Sequence, residues 1–221
     1  MFKVVMFDLD GTLIDSSEGV TKSAQFALKH YGIEEDDLQK LTYFIGPPLT
    51  YTFGKRYGFS EEQANEAVEV FRSRYNVKGF LECCLYPNVK ECLIKLREEG
   101  YLVALATSKP ETTSIKILKN LGVLELFDEI SGASMDGKVE TKEDVLVQLF
   151  DRLDKNHGIK DRSSMVLVGD TMFDVEGAAA FGIPTLAVSF GFGDVDEMMK
   201  AGAIGVVDDM LKIPEFLKNA D

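Results

Sequence analysis

The sequence predicts an α/β fold, a Rossmann-like, doubly wound parallel sheet interrupted by an inserted all-helical cap. Three observations carry this. Short apolar runs recur at Val4–Phe7, Leu102–Ala106, Met165–Val168 and Thr185–Val188, as expected of strands buried on both faces. Segments with helical apolar spacing alternate with the later runs, the pattern that winds a parallel sheet. One stretch, from about Ser16 to Glu82, carries no such run at all.

In chain order, Val4–Phe7 is the first strand. Ser17–Tyr31 then reads as a helix with Val20, Ala24, Ala27 and Leu28 on one face and Gly32 as its stop. Leu49–Tyr57 and Glu61–Tyr75 read as two more, the second capped by Ser60. The α/β pattern resumes with a helix over Pro87–Glu99, the strand Leu102–Ala106, a helix over Lys142–Leu153, the strand Met165–Val168 and an alanine-rich helix over Met172–Phe181. Gly182-Ile183-Pro184 turns the chain into the last strand, Thr185–Val188. Residues 1–15 and 83–221 thus form the core domain and 16–82 the cap. An insert that leaves the sheet right after strand one sits where open α/β sheets bind ligands, placed like a lid.

Composition narrows the function. The 221 residues suffice for a core without disulfides or metal staples. A formal net charge of −13 disfavours nucleic acid and anionic membranes as partners. The three cysteines, Cys83, Cys84 and Cys92, make no disulfide framework, and no leader or membrane span is visible. A cytoplasmic protein with reduced thiols is expected. With only His30 and His157, a histidine-rich metal site is excluded.

Four segments carry the chemistry, each at a strand end or the start of the next helix. Asp8-Leu9-Asp10-Gly11-Thr12-Leu13 puts two carboxylates at the end of a buried strand. Two acids there are costly without a cation, which points to a divalent metal with oxygen ligands. Gly11 allows a tight turn whose amides face an anion. Thr107-Ser108-Lys109-Pro110 offers hydroxyls and helix amides to a phosphate. Asp136–Asp144 holds Lys138 and Lys142, and Gly169-Asp170-Thr171-Met172-Phe173-Asp174 adds two more acids. Plainer readings exist for each segment: an acidic cap, an N-cap, surface lysines, a partner for the helix dipole.

The order and context of these segments resemble the haloacid dehalogenase superfamily of phosphatases over essentially the whole chain. Asp8–Ser16 is a near-complete match to the first motif and Gly169–Asp174 to the fourth. The branch it looks like is phosphoglycolate phosphatase-like, and Ile45–Pro48, Tyr86–Val89 and Thr141–Val145 resemble a 5′-nucleotidase-like subgroup. The resemblance implies Asp8 as nucleophile, forming an aspartyl-phosphate, and Asp10 as general acid and then base. It implies Mg²⁺ held by Asp8, the Asp10 carbonyl and Asp170, with Asp174 orienting the lysine or a metal-bound water. Gly11, Thr107, Ser108 and Lys142 would hold the phosphoryl group, with Lys138 the alternative lysine. This chain has Ser108 where many relatives carry asparagine, which leaves a backbone donor in place.

A Mg²⁺-dependent phosphomonoester hydrolase of a small phosphorylated metabolite is therefore expected, of the phosphoglycolate or nucleoside 5′-monophosphate class. The alternatives are a phosphosugar mutase and a non-enzymatic phosphometabolite-binding protein. Mutases often place a bulkier apolar residue after the glycine than Thr12, and a halide-releasing enzyme has no use for Asp10. In the cap, the Gly46-Pro47-Pro48 loop is the expected substrate-shaping segment. Lys22, Lys55, Arg56, Arg72 and Arg74 read as surface charges, and Tyr43, Phe44 and Phe53 as cap core. A monomer or a cap-mediated dimer is expected.

Overall fold

A computed structural model describes residues 2–134, 136 and 138–220. The chain divides into two compact units, Met1–Ile14 with Leu85–Asp221, and Asp15–Cys84. The sequence places these boundaries at 15/16 and 82/83. The crossings fall within two short strands that the sequence does not announce.

The first unit is built on β1 (Val4–Phe7), and the chain leaves it through β2 (Ile14–Asp15). In the second unit follow α1 (Ser17–His30), α2 (Leu49–Tyr57) and α3 (Glu61–Tyr75). The return runs through β3 (Cys84–Leu85). Then come α4 (Val89–Glu98), β4 (Leu102–Pro110), α5 (Glu111–Asn120), β5 (Glu129–Ala133) and α6 (Lys142–His157). The chain ends with β6 (Met165–Gly169), α7 (Met172–Ala179), β7 (Thr185–Val188), α8 (Val195–Ala201), β8 (Gly205–Val207) and α9 (Lys212–Asn219).

Six strands form one parallel sheet in the order β5-β4-β1-β6-β7-β8. All four residues of β1 are fully buried, as a central parallel strand requires. Side chains alternate along it, so Val4 and Met6 share a face. They meet Val145, Leu146, Leu149 and Leu153 of α6 and Ala178 of α7 in one apolar cluster. Phe7 pairs with Leu105 of β4 and with Val168 of β6, so the three strands finish level with one another. Strand order reverses at β1, between β4 on one side and β6 on the other. That is the switch point where such sheets open a crevice beyond their carboxyl ends.

Both sheet strands absent from the sequence reading, β5 and β8, are the edges of the sheet. An edge strand needs partners on one side only. Glu129-Ile130 and Gly205-Val206 are accordingly half-buried, whereas β1, β6 and β7 are buried throughout. The strand expected to end at Ala106 runs on to Pro110, with a shift of register between Thr107 and Pro110 against β5. Such an irregularity re-aims side chains at a strand end.

The helical unit buries Ala24, Ala27 and Leu28 of α1, Phe53 of α2, and Ala67, Val68 and Phe71 of α3. Ser60 closes a capping box with Gln63 at the start of α3. A 3-10 helix over Leu38–Phe44, not anticipated, carries Phe44 into the aromatic core, 4.8 Å from the Phe53 ring. Arg74, read as a surface charge, is instead half-buried. Its guanidinium donates to Ser23 Oγ and pairs with Glu82, whose carboxyl it holds below the usual range against the opposing effect of burial. Lys22, Lys55, Arg56 and Arg72 each meet a neighbour of their own unit: Glu18, Tyr51, Tyr43 and Glu69.

Candidate active site

Three carboxylates meet at the carboxyl end of the sheet. Asp8 follows β1, its amide continuing the ladder to the Val168 carbonyl at 2.9 Å. Asp170 follows β6, and Asp174 sits on the first turn of α7. All three are buried, and each offers an oxygen within 4.8 Å of the others.

One cation stands among them. Lys142 is the first residue of α6, and the capping box between Thr141 and Asp144 fixes where that helix begins. Its Nζ donates to Asp8 Oδ1 at 2.6 Å and to the Ala106 carbonyl at 2.9 Å, and lies 2.7 Å from Asp174 Oδ1. Asp174 is aimed by its other oxygen, which accepts from the Thr171 amide at 3.1 Å and hydroxyl at 2.8 Å. Lys138, the alternative, has a largely exposed side chain paired with Asp136.

The electrostatics are unbalanced. Burial raises the Asp8 carboxyl to about 6; Lys142 opposes this, while the charges of Asp174 and Asp10 add to it. Asp170 is raised as well, by burial and then by Asp174 and Asp8. Burial works against the Lys142 charge, but Asp174 and Asp8 outweigh it and the ammonium is held. With the three carboxylates ionised, as ligation of a cation requires, the Lys142 ammonium leaves a deficit of two positive charges among these residues. A divalent cation matches that deficit, and an all-oxygen donor set suits a hard ion such as Mg²⁺. The site residues therefore fit the group the sequence implies.

Asp10 is turned elsewhere. Both of its carboxylate oxygens accept from Lys109 Nζ, at 2.8 and 2.7 Å. Thr107 is buried and its hydroxyl accepts from the Lys109 amide at 3.2 Å, while Ser108 is exposed. One expectation is corrected. The Gly11 amide, read as facing an anion, donates to the Ile14 carbonyl at 2.9 Å and is spent within the turn. Gly11 serves through its left-handed backbone, φ 82°, and through clearance: a Cβ there would lie 2.0 Å from Asp170 Oδ2. Gly46, Pro47 and Pro48 belong to the helical unit, between its 3-10 helix and α2, with Pro48 at the α2 N-cap.

Sequence reasoning missed three participants. Lys109 was visible only as part of a hydroxyl-rich segment. The Thr12 hydroxyl donates to Asp170 Oδ1 at 3.1 Å, and the Phe192 amide donates to Asp170 Oδ2 at 2.8 Å. Main-chain donors carry no side-chain signature. The pair of glycines in Gly191-Phe192-Gly193 was the one trace available.

Comparison with known proteins identifies a family. The family model described as haloacid dehalogenase-like hydrolase matches residues 5–188. A 5′-nucleotidase from Pseudomonas aeruginosa is 39% identical over 194 residues, covering 88% of this chain and 86% of its own. A crystal structure of a predicted phosphatase from Clostridium acetobutylicum superposes with a TM-score of 0.92 at 36% identity, covering 99% of both chains. The tyrosine-protein kinase PtkA of Mycobacterium tuberculosis is 38% identical over 194 residues, covering 88% of this chain and 64% of its own length.

Proposed function

The chain belongs to the haloacid dehalogenase-like hydrolase family, and on that footing we propose that it is a Mg²⁺-dependent phosphomonoester hydrolase of small metabolites. The observation that carries the proposal is the buried Asp8 carboxylate, held by Lys142 Nζ at 2.6 Å beside Asp170 and Asp174. Asp8 and Asp170, with the Asp10 carbonyl, would hold the ion. Bound there, Mg²⁺ supplies the positive charge that lets a carboxylate approach a phosphoryl group.

The chain's own residues supply the rest. An Asp8 oxygen attacks phosphorus in line, the ester P–O bond breaks, and Asp10 gives its proton to the leaving oxygen. Water then attacks the aspartyl-phosphate, Asp10 takes the proton, and the bond from phosphorus to Asp8 breaks to release inorganic phosphate. Lys142 offsets charge on the transferring group, and the Thr107 hydroxyl and Ser108 amide hold its oxygens. Lys109 Nζ, which donates to both Asp10 oxygens, orients that carboxyl group. Nucleoside 5′-monophosphates stand first among substrates, supported by the 39% identity to a 5′-nucleotidase, with phosphoglycolate second. Among the described residues no helix is long and apolar enough to cross a membrane.

Release of p-nitrophenol from p-nitrophenyl phosphate, abolished by EDTA and restored by Mg²⁺, is the expected result, followed by a metabolite screen ranked by kcat/KM. Interconversion of hexose phosphates without net hydrolysis would identify a mutase. Phosphorylation of tyrosine from ATP without ester hydrolysis, or binding without either reaction, would equally overturn the proposal.

Two further results are expected. Asp10→Asn should slow esters with poor leaving groups far more than p-nitrophenyl phosphate, because only the former depend on a proton donor. A uniform loss across an ester series would remove Asp10 from that role. The Mg²⁺ affinity should also depend on pH. With Asp8 raised to about 6 from the ordinary 3.8, protons compete with the cation. The dissociation constant should rise about tenfold between pH 7 and pH 5, the size set by one competing carboxyl near pH 6. In EDTA the folded state binds more protons than the unfolded state between 3.8 and about 6, so stability should fall as pH rises through that window. Calorimetric titration and thermal melts across pH check both.

A further inference from the structure

Asp170 is gripped from two directions. On one side the buried Thr12 hydroxyl donates to Oδ1 at 3.1 Å. On the other the Phe192 amide donates to Oδ2 at 2.8 Å. The turn that delivers this amide lies too close for side chains. A Cβ at Gly191 would come within 2.3 Å of Asp170 Cβ and 2.5 Å of Oδ2 and of the Gly11 carbonyl oxygen. A Cβ at Gly193 would lie 2.0 Å from the Asp170 carbonyl oxygen. Gly11 closes the remaining side, as described above.

We propose that Thr12 and the Gly191-Phe192-Gly193 turn form a clamp that holds the Asp170 carboxylate in a cation-ready orientation, and so set the Mg²⁺ affinity of the site. The inference rests on the reading that Asp170 is a ligand of that ion.

The physical argument starts from repulsion. Asp170 shares a buried pocket with Asp8 and Asp174, whose charges oppose its own. An unrestrained carboxylate would rotate away from them. The clamp prevents this by two donors and a wall of main chain. A carboxylate has about four acceptor positions, and the clamp takes one on each oxygen, leaving the others for a cation. Thr12 and the turn are 158 and 22 residues from Asp170 in sequence, so the clamp exists only once β1, β6 and β7 are paired. Each acts through Asp170, as a positioning residue.

The test uses the full-length protein, Mg²⁺ alone and no substrate. Thr12→Val keeps the branched shape and removes the donor. Gly191→Ala places a methyl group against Asp170. By calorimetric titration with MgCl₂, both variants should bind about tenfold or more weakly, the usual cost of losing a group that orients a ligand. Excess Mg²⁺ should restore turnover on p-nitrophenyl phosphate to within about threefold of wild type, as for a defect in binding alone. Thermal melts in EDTA establish that the variants fold; if Gly191→Ala does not, Thr12→Val decides alone. Wild-type affinity in Thr12→Val, or a loss of turnover that excess Mg²⁺ cannot restore, overturns the clamp. A wild-type protein that takes up no Mg²⁺ overturns instead the reading on which the clamp rests.

Discussion

Asp8→Asn is expected to lower turnover by at least about 10⁴-fold, the scale on which a nucleophile's removal disables a catalytic unit, while raising the thermal stability of the metal-free protein. The two effects share one cause. Asp8 is buried among like charges and its carboxyl is pushed up to about 6, so keeping it ionised at neutral pH costs the fold free energy. An amide of the same shape removes that cost. Lys142 keeps Asp174 at 2.7 Å and the Ala106 carbonyl at 2.9 Å as partners, so no cation is orphaned. A gain of about 1 kcal/mol would move the melting temperature by about 2–4 °C in a chain of this size. The gain should shrink on acidification through pH 6, where the wild-type carboxyl takes up its proton. Melts in EDTA at pH 5 and 7.5, with initial rates at saturating Mg²⁺, check the pair. Retained turnover would remove the aspartyl-phosphate from the mechanism. A neutral or lower melting point at pH 7.5 would show that the cluster is not electrostatically strained.

The central layer of this fold was legible because burial on both faces leaves a signature. Val4–Phe7 is buried and apolar without exception, and Thr185–Val188 is buried throughout with one hydroxyl, at Thr185. Leu49–Tyr57 and Glu61–Tyr75 were legible by the same logic applied at helical spacing, with Ser60 marking a start. Edge strands lack the first signature. Glu129-Ile130-Ser131-Gly132-Ala133 is polar and small because one side of it pairs with nothing in the sheet.

The site divides along a similar line. Asp8 and Asp170 could be picked out because acids that end buried apolar strands are costly without a cation, whereas Asp174 and Lys142 stand apart from a helix-dipole acid and a surface lysine largely through the family resemblance. What these groups touch could not be picked out. The residue Asp10 pairs with, Lys109, lies 99 positions away. A turn beside two acids suggests an anion site for its amides, yet the Ile14 carbonyl claims the Gly11 amide first. Competition between local and external acceptors for one N–H is decided by a few degrees of backbone rotation, which residue identity does not encode. The Phe192 amide is the converse case, a main-chain donor made useful by a partner 22 residues away.

Lys142→Met should be damaging in the direction opposite to Asp8→Asn. It removes the ammonium that lies 2.6 Å from Asp8 and 2.7 Å from Asp174 and leaves three buried carboxylates without a cation among them. Breaking a buried pair by deleting one partner costs about 3–5 kcal/mol, because the remaining charge is stranded. The metal-free protein should therefore lose stability on that scale at neutral pH. The deficit should narrow as pH falls, since the orphaned carboxyls, raised further without Lys142, can take up protons. Mg²⁺ should recover part of the loss by supplying positive charge to the same oxygens. Turnover should nevertheless fall by about 10²–10³-fold even with Mg²⁺ saturating, the usual effect of removing one electrostatic stabiliser of a transition state. Lys138→Ala is the paired control: an exposed side chain with an exposed partner at Asp136 contributes little to stability. If Lys138→Ala lost turnover while Lys142→Met kept both turnover and melting point, the roles of the two lysines would have to be exchanged, and the buried ammonium at the head of α6 would be a packing feature alone.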